Sequence, residues 1–326
     1  MEKILELLIN SPEAAIRYKI RRFVLGEDPL SERMIDLQNQ IRTSPAAETL
    51  LARRGADGRI DLQPYQKWHG AHWVLAQLAD LYYPPGDSSL FAMRDQVIKW
   101  LPNLSKHLVL HGRERFCASI PGNALFAMLR LGIATPYADE IAQMLIKGQW
   151  PDGGWNCDKH PEARVSSFNE TLIPLRALVL YARLSGDPRA QDCAERAAEV
   201  FLTRKLFRRL TNGNIIDSHF IKLHYPYTWH YTFLYALVVM MEGGWLGDPR
   251  CGEALDLLES KRLPDGGFPA EQAYYRVHTG EGHPSNSTAV DWGGTSKKNM
   301  NPWVSAEALS VLRAAKRINL ATEGEP

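Results

Sequence analysis

The sequence predicts an all-α protein: an (α/α)6-type toroid, a double ring of inner and outer helices with long loops at one end. Three observations predict it. Long helical stretches alternate between apolar and amphipathic character. A short stop-and-start signal recurs at intervals of about 50–60 residues, the size of a helix pair plus a return loop. Period-2 runs with turn chemistry, the mark of strands, are missing.

The recurring signal reads Gly26-Glu27-Asp28-Pro29, Gly86-Asp87, Gly186-Asp187-Pro188 and Gly247-Asp248-Pro249, with a weaker Thr135-Pro136 after Gly132. A glycine able to take positive φ ends one helix, Asp or Thr caps the next, and Pro suits its first turn. So short a connection forces the two helices antiparallel. Before the marks lie the apolar stretches 12–25, 68–83, 119–131, 166–184 and 227–242, with a sixth at 302–316. Helices apolar on most sides belong inside. After the marks lie 30–42, 88–101, 137–147, 189–204 and 250–261, whose single apolar stripe places them outside. One domain is expected to take up residues 1–326.

Composition narrows the partners. Lys and Arg number 38 against 37 Asp and Glu, so no broad basic field exists for nucleic acid. No run of about 18 uninterrupted apolar residues offers a transmembrane span. Residues 1–10 are amphipathic and carry Glu2 and Glu6, unlike a secretory signal. Cys117, Cys157, Cys193 and Cys251 lie far apart without a CxxC pair, which argues against a disulfide framework and for a reducing cytoplasm. Nine Trp and twelve Tyr exceed what a core of this size needs, so some are expected to line a cavity.

The loops that return to the inner helices carry a second repeated signal: Asp57-Gly58, Asp152-Gly153-Gly154-Trp155, Asn212-Gly213 and Asp265-Gly266-Gly267-Phe268. One Asp/Asn-Gly is merely a turn; four in matching places are a repeat. At the strongest copy, Gln149-Trp150-Pro151-Asp152-Gly153-Gly154-Trp155 resembles the QxxDGxW repeat of squalene–hopene and related terpenoid cyclases, found in degraded form in protein prenyltransferase β subunits. The copy at 263–268 keeps the Asp-Gly-Gly but has Arg262 for Gln and Phe268 for Trp. The resemblance implies the toroid, a central cavity and a lipophilic, isoprenoid-like substrate. It does not supply the chemistry, since neither DxDD nor DDxxD occurs here. The prenyltransferase zinc-binding Asp-Gly-Cys reads Asp152-Gly153-Gly154, with Cys157 three residues on.

Aligning the apolar runs of the inner helices puts His72, Asn123, Glu170, His230 and Glu307 at roughly equivalent points near their N-terminal ends. Two His and one Glu there could hold a divalent metal, zinc above all, so His72, Glu170 and His230 are the expected ligands. Without metal, the same residues read as hydrogen-bonded cavity groups, with Glu170 as acid/base. The neighbouring loops add Cys157, Asp158, His224 and Asp291 as candidates for catalysis: Cys157 with His224 or His230 as a thiolate–imidazole pair or metal ligand, and the two Asp as general acids. Against this, a Cys is commonly a small buried hydrophobe and an Asp beside Gly a turn former. Trp68, Trp73, Trp155, Tyr227, Trp229, Tyr231, Trp292 and Trp303 cluster at these mouths. With Asn123 they are the expected substrate contacts, able to face a cationic or polyprenyl intermediate or to stack a sugar; plain packing is the alternative. The loop 274–300 is expected to be a lid. Arg113-Glu114-Arg115 could meet an anionic group or form surface ion pairs.

Three functions follow. The first is a terpenoid-cyclase- or prenyltransferase-like enzyme on a lipophilic substrate, with Asp158, Asp291 or Glu170 as acid. The second is a metal-assisted or acid/base hydrolase or lyase using His72, Glu170 and His230, for which a sugar substrate stays open. The third is a non-catalytic module that binds a lipid or a protein.

Overall fold

The computed structural model describes residues 2–104, 108–280 and 282–319. Met1, residues 105–107, Glu281 and residues 320–326, which belong to the predicted ranges 1–326 and 274–300, lie outside the described residues. The described part is mostly α, with about half of the chain helical and two sheets of two short strands each.

Each predicted inner stretch forms a helix. These are α2 (Ala14–Lys19, continued by a π-helical turn Ile20–Val24), α5 (Ala71–Asp80), α7 (Ser119–Arg130), α9 (Phe168–Ser185), α11 (Phe233–Gly243) and α13 (Pro302–Ala314). The predicted outer stretches contain α3 (Glu32–Gln40), α6 (Phe91–Trp100), α8 (Tyr137–Lys147), α10 (Pro188–Leu202) and α12 (Gly252–Ser260). Helices α1 (Glu2–Ile9) and α4 (Pro45–Leu51) add to these. Burial separates the two sets as periodicity says it should. In α5 nine of ten residues are buried; in α6 two of ten are, Met93 and Val97, one turn apart on a single stripe.

Each outer helix packs on the inner helix that precedes it, and α5–α7, α7–α9, α9–α11, α11–α13 and α13–α2 are successive neighbours. Buried apolar side chains form one cluster running from Ile4 to Ile318. The tightest neighbours are α7 and α9. A Cβ on Gly122 would lie 3.0 Å from the nitrogen of Pro174, so only glycine lets the two backbones approach this closely. Pro174 sits inside α9 and has no N–H for the carbonyl of Glu170, one turn earlier.

The antiparallel marks work largely as expected. Gly186 takes φ +71° at the end of α9 and the Asp187 carboxylate accepts from Arg189 N at the start of α10. Asp248 likewise accepts from Arg250 N. Three marks need correction. At the weaker one Thr135 does not cap α8, whose N-cap is Pro136 without a side-chain hydrogen bond. Gly244, not Gly247, supplies the left-handed residue ending α11, and α3 is capped by Ser31, not Asp28, because Asp28 instead holds Leu30 N in its own turn. Asp187→Ala and Asp248→Ala should both lower the urea midpoint of unfolding, Asp248→Ala through a stability loss of about 0.5–2 kcal/mol. Two unchanged midpoints would show that these caps contribute nothing.

The return turns repeat down to their hydrogen bonds. Trp150 N donates to Gly154 O and Gly153 N to Trp150 O; Leu263 N and Gly267 O, Gly266 N and Leu263 O do the same. Beyond the turn, Trp155 N donates to Thr171 Oγ1 at 3.1 Å and Phe268 N to Ser305 Oγ at 2.8 Å. Thr171 and Ser305 are both fourth residues of their helices. That pairing corrects the register: Val304, not Glu307, matches Glu170.

The short strands belong to loops. Strands β1 (Leu108–Leu110) and β2 (Arg113–Arg115) form an antiparallel hairpin, and β3 (Arg276–Val277) and β4 (Ser287–Thr288) a two-residue parallel ladder. No described helix is long and apolar enough to cross a membrane.

Candidate functional site

Glu170 lies in the first turn of α9, buried, and reaches across to the start of α7. Its Oε2 accepts the backbone N–H of Ser119 at 2.9 Å, where the helix end carries partial positive charge. Its Oε1 faces the Cys157 thiol at 3.8 Å and accepts from Trp229 Nε1 at 3.4 Å. Cys117, two residues ahead of α7, completes the group: among the described residues, Cys117, Cys157 and Glu170 are the three His, Cys, Asp or Glu residues whose ligand atoms all lie within 4.8 Å of one another. Burial raises the Glu170 carboxyl above its ordinary range, against the pull of the Ser119, Trp229 and Cys157 donors. A thiol–thiol hydrogen bond to Cys117, followed by burial, drives the Cys157 thiol upward. The same hydrogen bond lowers Cys117, with help from Lys159.

The loop bearing Cys157 is held from outside. Buried Arg115 donates to the carbonyls of Asp158 (2.6 Å) and Ala163 (3.0 Å), and Asp152 of the return turn accepts from Ser166 N and Oγ. Gly153, at φ +97°, leaves no room for a Cβ, which would stand 2.3 Å from Arg196 O. The QxxDGxW-like segment therefore acts as a staple. Gln149 ties it to α10 through Cys193 O, and Trp155, fully buried, donates Nε1 to Leu145 O.

Beside Cys117 and Cys157 opens a cavity of about 430 Å³, walled by Leu101, Phe116, Ile120, Tyr137 and Met144 with Lys159 at its polar side. Behind the cluster runs an aromatic wall. Tyr65 feels burial first and then the charges of Glu170, Cys117 and Cys157, which push its hydroxyl up to about 12. Its ring neighbours His72, Trp73 and Trp100 at 5.9, 5.1 and 6.0 Å. Trp68 continues the wall to His230 at 5.9 Å, and His230 stacks on Tyr274 at 3.5 Å.

The expected triad of His72, Glu170 and His230 is not a metal-ligand group. His72 and His230 are absent from the ligand cluster, because the Trp68 and Trp73 rings stand between them. His72 is fully buried among rings with both nitrogens unpartnered, and burial drops it to about 3. His224 is also buried, with Nε2 unpartnered, and lies against Tyr274; Cys157 meets neither it nor His230, but Cys117. Asp158 and Asp291 are exposed turn formers: Asp158 accepts from His160 N and Asp291 from Gly293 N. Asn123 spends its amide on Thr228 O.

Most of the expected aromatic contacts are core. Trp155, Tyr227, Tyr231, Trp292 and Trp303 belong to the buried apolar cluster; Tyr231 donates to Leu206 O, and Tyr227 stacks on Tyr235. Trp68 and Trp73 are buried within the aromatic wall, and Trp73 Nε1 donates to Tyr65 O. Trp229, partly buried, is the expected aromatic that touches the reactive groups. The loop 274–300 is folded down, with His278 N on Thr288 O and Ser296 N on Ala270 O. Its segments 273–278 and 284–287 wall a second cavity of about 640 Å³ with His230 at the edge.

Glu307 lies apart from the mouth and pairs with Lys19. Around it spreads a buried ion network. Arg176 of α9 binds Glu242 of α11 through Nε (2.7 Å) and Nη2 (2.9 Å), and Asp80 of α5 through Nη1 (2.6 Å). Arg130 of α7 reaches Glu242 at 3.4 Å and lies over the Tyr82 ring, as does Lys19 of α2. No family model matches the chain, and no curated protein matches it.

Proposed function

We propose that the chain is an enzyme of terpenoid-cyclase/prenyltransferase architecture whose reaction runs at one mouth of an α/α toroid, on a lipophilic, isoprenoid-like substrate. Two things support a closed ring of six inner helices. Successive inner helices are neighbours from α5 round to α2, and Tyr18 of α2 meets Tyr82, just beyond α5, at 5.5 Å between ring centres. All six also place a charged side chain in one of two buried ion clusters, Lys19 with Glu307 and Arg176 with Asp80, Glu242 and Arg130, and Lys19 and Arg130 share the Tyr82 ring.

The observation that carries the function is a cluster of two thiols and a buried carboxyl opening onto an apolar cavity of about 430 Å³. Small-molecule sites have about 300–1,000 Å³. The apolar walls take the substrate's chain, the charged lining groups Arg115, Glu140 and Lys159 meet its polar end, and the Glu170–Cys157–Cys117 centre acts on that end. A buried carboxyl with a raised pKa is a group enzymes use when protons move near neutral pH.

The test is binding and turnover of farnesol and its phosphate esters, read by tryptophan fluorescence and product analysis. Ile120→Trp and Met144→Trp, which fill the cavity, should weaken binding about tenfold or more, equivalent to 1.4 kcal/mol. Cys117→Ser should leave binding within about twofold and abolish turnover. A folded protein that binds none of these probes, or binds them equally well with the cavity filled, would end this reading.

A further inference from the structure

We propose that Cys117, Cys157 and Glu170 together form a zinc site with one coordination position left open toward the 430 Å³ cavity. The inference rests on the preceding section only in taking this cluster as the reactive centre. It does not depend on which substrate enters.

The donor set and its spacing carry the argument. Two thiolates and one carboxylate select zinc over magnesium or calcium, which prefer all-oxygen sites. With Zn–S about 2.3 Å and Zn–O about 2.0–2.2 Å, tetrahedral ligands stand about 3.6–3.8 Å from one another. Cys157 Sγ and Glu170 Oε1 stand 3.8 Å apart, and all three ligand atoms lie within 4.8 Å. A metal would therefore need only small side-chain movement. A disulfide would need the two sulfurs to close to about 2.05 Å.

The surroundings resemble a built outer shell. Glu170 Oε2 is fixed by Ser119 N–H, which turns Oε1 toward the thiols, and Trp229 Nε1 supports that same oxygen from the other side. Arg115 clamps the carbonyls of the Cys157 loop. Such outer-shell groups orient ligands and tune the ion. Three protein ligands with a fourth position free is the arrangement of a zinc site that does chemistry; closed sites use four. Cys117 is the exposed member and lines the cavity with Cys157, so the open position faces the substrate space. Binding would displace the thiol and carboxyl protons into solvent, so metal affinity should rise with pH.

The experiment is a Co²⁺ titration of the reduced full-length protein, followed by the near-ultraviolet sulfur-to-cobalt band, with zinc competing. One equivalent per chain should bind and be displaced by zinc. Cys117→Ser and Cys157→Ser should each weaken binding beyond the roughly 10–100-fold that loss of an outer-shell partner costs, while Cys193→Ala and Cys251→Ala leave it unchanged. A measurement on the unaltered chain covers variants that fail to fold: zinc should protect Cys117 from alkylation in reduced protein, as located by peptide mass spectrometry. Reduced protein that takes up no cobalt, or alkylation of Cys117 indifferent to zinc, overturns the site. Farnesol binding is read separately, so loss of the metal site and loss of the substrate reading give different results.

Discussion

Arg176→Met should destabilise the protein by about 3–5 kcal/mol, because it leaves two acidic partners desolvated without their cation. The Arg176 side chain is 6% exposed, and its partners Glu242 and Asp80 are 13% and 14% exposed. Glu242 is gripped by two parallel bonds from one guanidinium edge while the third nitrogen holds Asp80, a geometry that lysine cannot copy, so Arg176→Lys should recover only part of the loss. Burial alone would raise the Glu242 carboxyl, but Arg176 outweighs it and holds the group below its ordinary value. The informative comparison is the triple variant Arg176→Met/Glu242→Met/Asp80→Asn. Removing these three charges together should restore part of the stability, since a buried ion pair is expensive to break and cheap to replace whole, although Arg130 then loses its Glu242 partner. Urea unfolding reads all three proteins. A loss below about 1 kcal/mol for Arg176→Met would mean that water reaches the network and that it does not hold the inner helices together.

This network also marks where sequence stops being readable. The inner helices stand out along the chain because they are apolar on nearly every side, and the caps at Asp187 and Asp248 because capping is local chemistry. Lys19, Asp80, Arg130, Arg176 and Glu242 were visible as charges within or at the ends of those apolar stretches. What could not be read is that they meet, since each pair joins segments 66 or more residues apart. The mouth fails for a related reason. One residue of register rotates a helical side chain by about 100°, so aligning apolar runs to within one residue cannot decide which groups converge. His72 and His230 lost that choice to the intervening Trp rings. Cys117 won a place that no motif announces; its one signal is position, since it stands just before α7 as Cys157 stands in the loop before α9. The turn repeat was legible, but its meaning was not. Trp155 looked like a ligand platform and is a staple, because its indole N–H is taken up by Leu145 O inside the core.

Acid should unfold the protein over a window set by its buried histidines. His72 and His224 are each about 1% exposed, and burial takes both from 6.5 to about 3. The direction follows from proton counting. Below pH 6.5 the unfolded chain binds a proton at each of these histidines, and the native state does not until about pH 3. Stability is therefore complete above 6.5 and declines as pH falls through the interval between the two values. Each fully buried histidine contributes a slope of about 1.4 kcal/mol per pH unit, so the pair removes about 5 kcal/mol between pH 7 and 4.5. His230 and His69, both lowered to about 4 mainly by burial, act in the same direction with smaller weight because they are lowered less. Glu242 adds to the decline as pH falls toward and below 4.5, where the unfolded chain takes up this proton before the depressed native carboxyl does, whereas Glu170, raised by burial, opposes it in metal-free protein. Five kcal/mol is comparable to the whole stability of many domains, about 5–15 kcal/mol, so the urea midpoint should fall steeply between pH 6.5 and 4.5. The slope, not the height, identifies the cause. His72→Phe and His224→Phe should each flatten the curve by about 1.4 kcal/mol per pH unit, whatever they do to stability at pH 7. Curves that stay parallel to the parent would show that these histidines are already charged in the folded protein, and hence that water enters the aromatic wall beside Glu170.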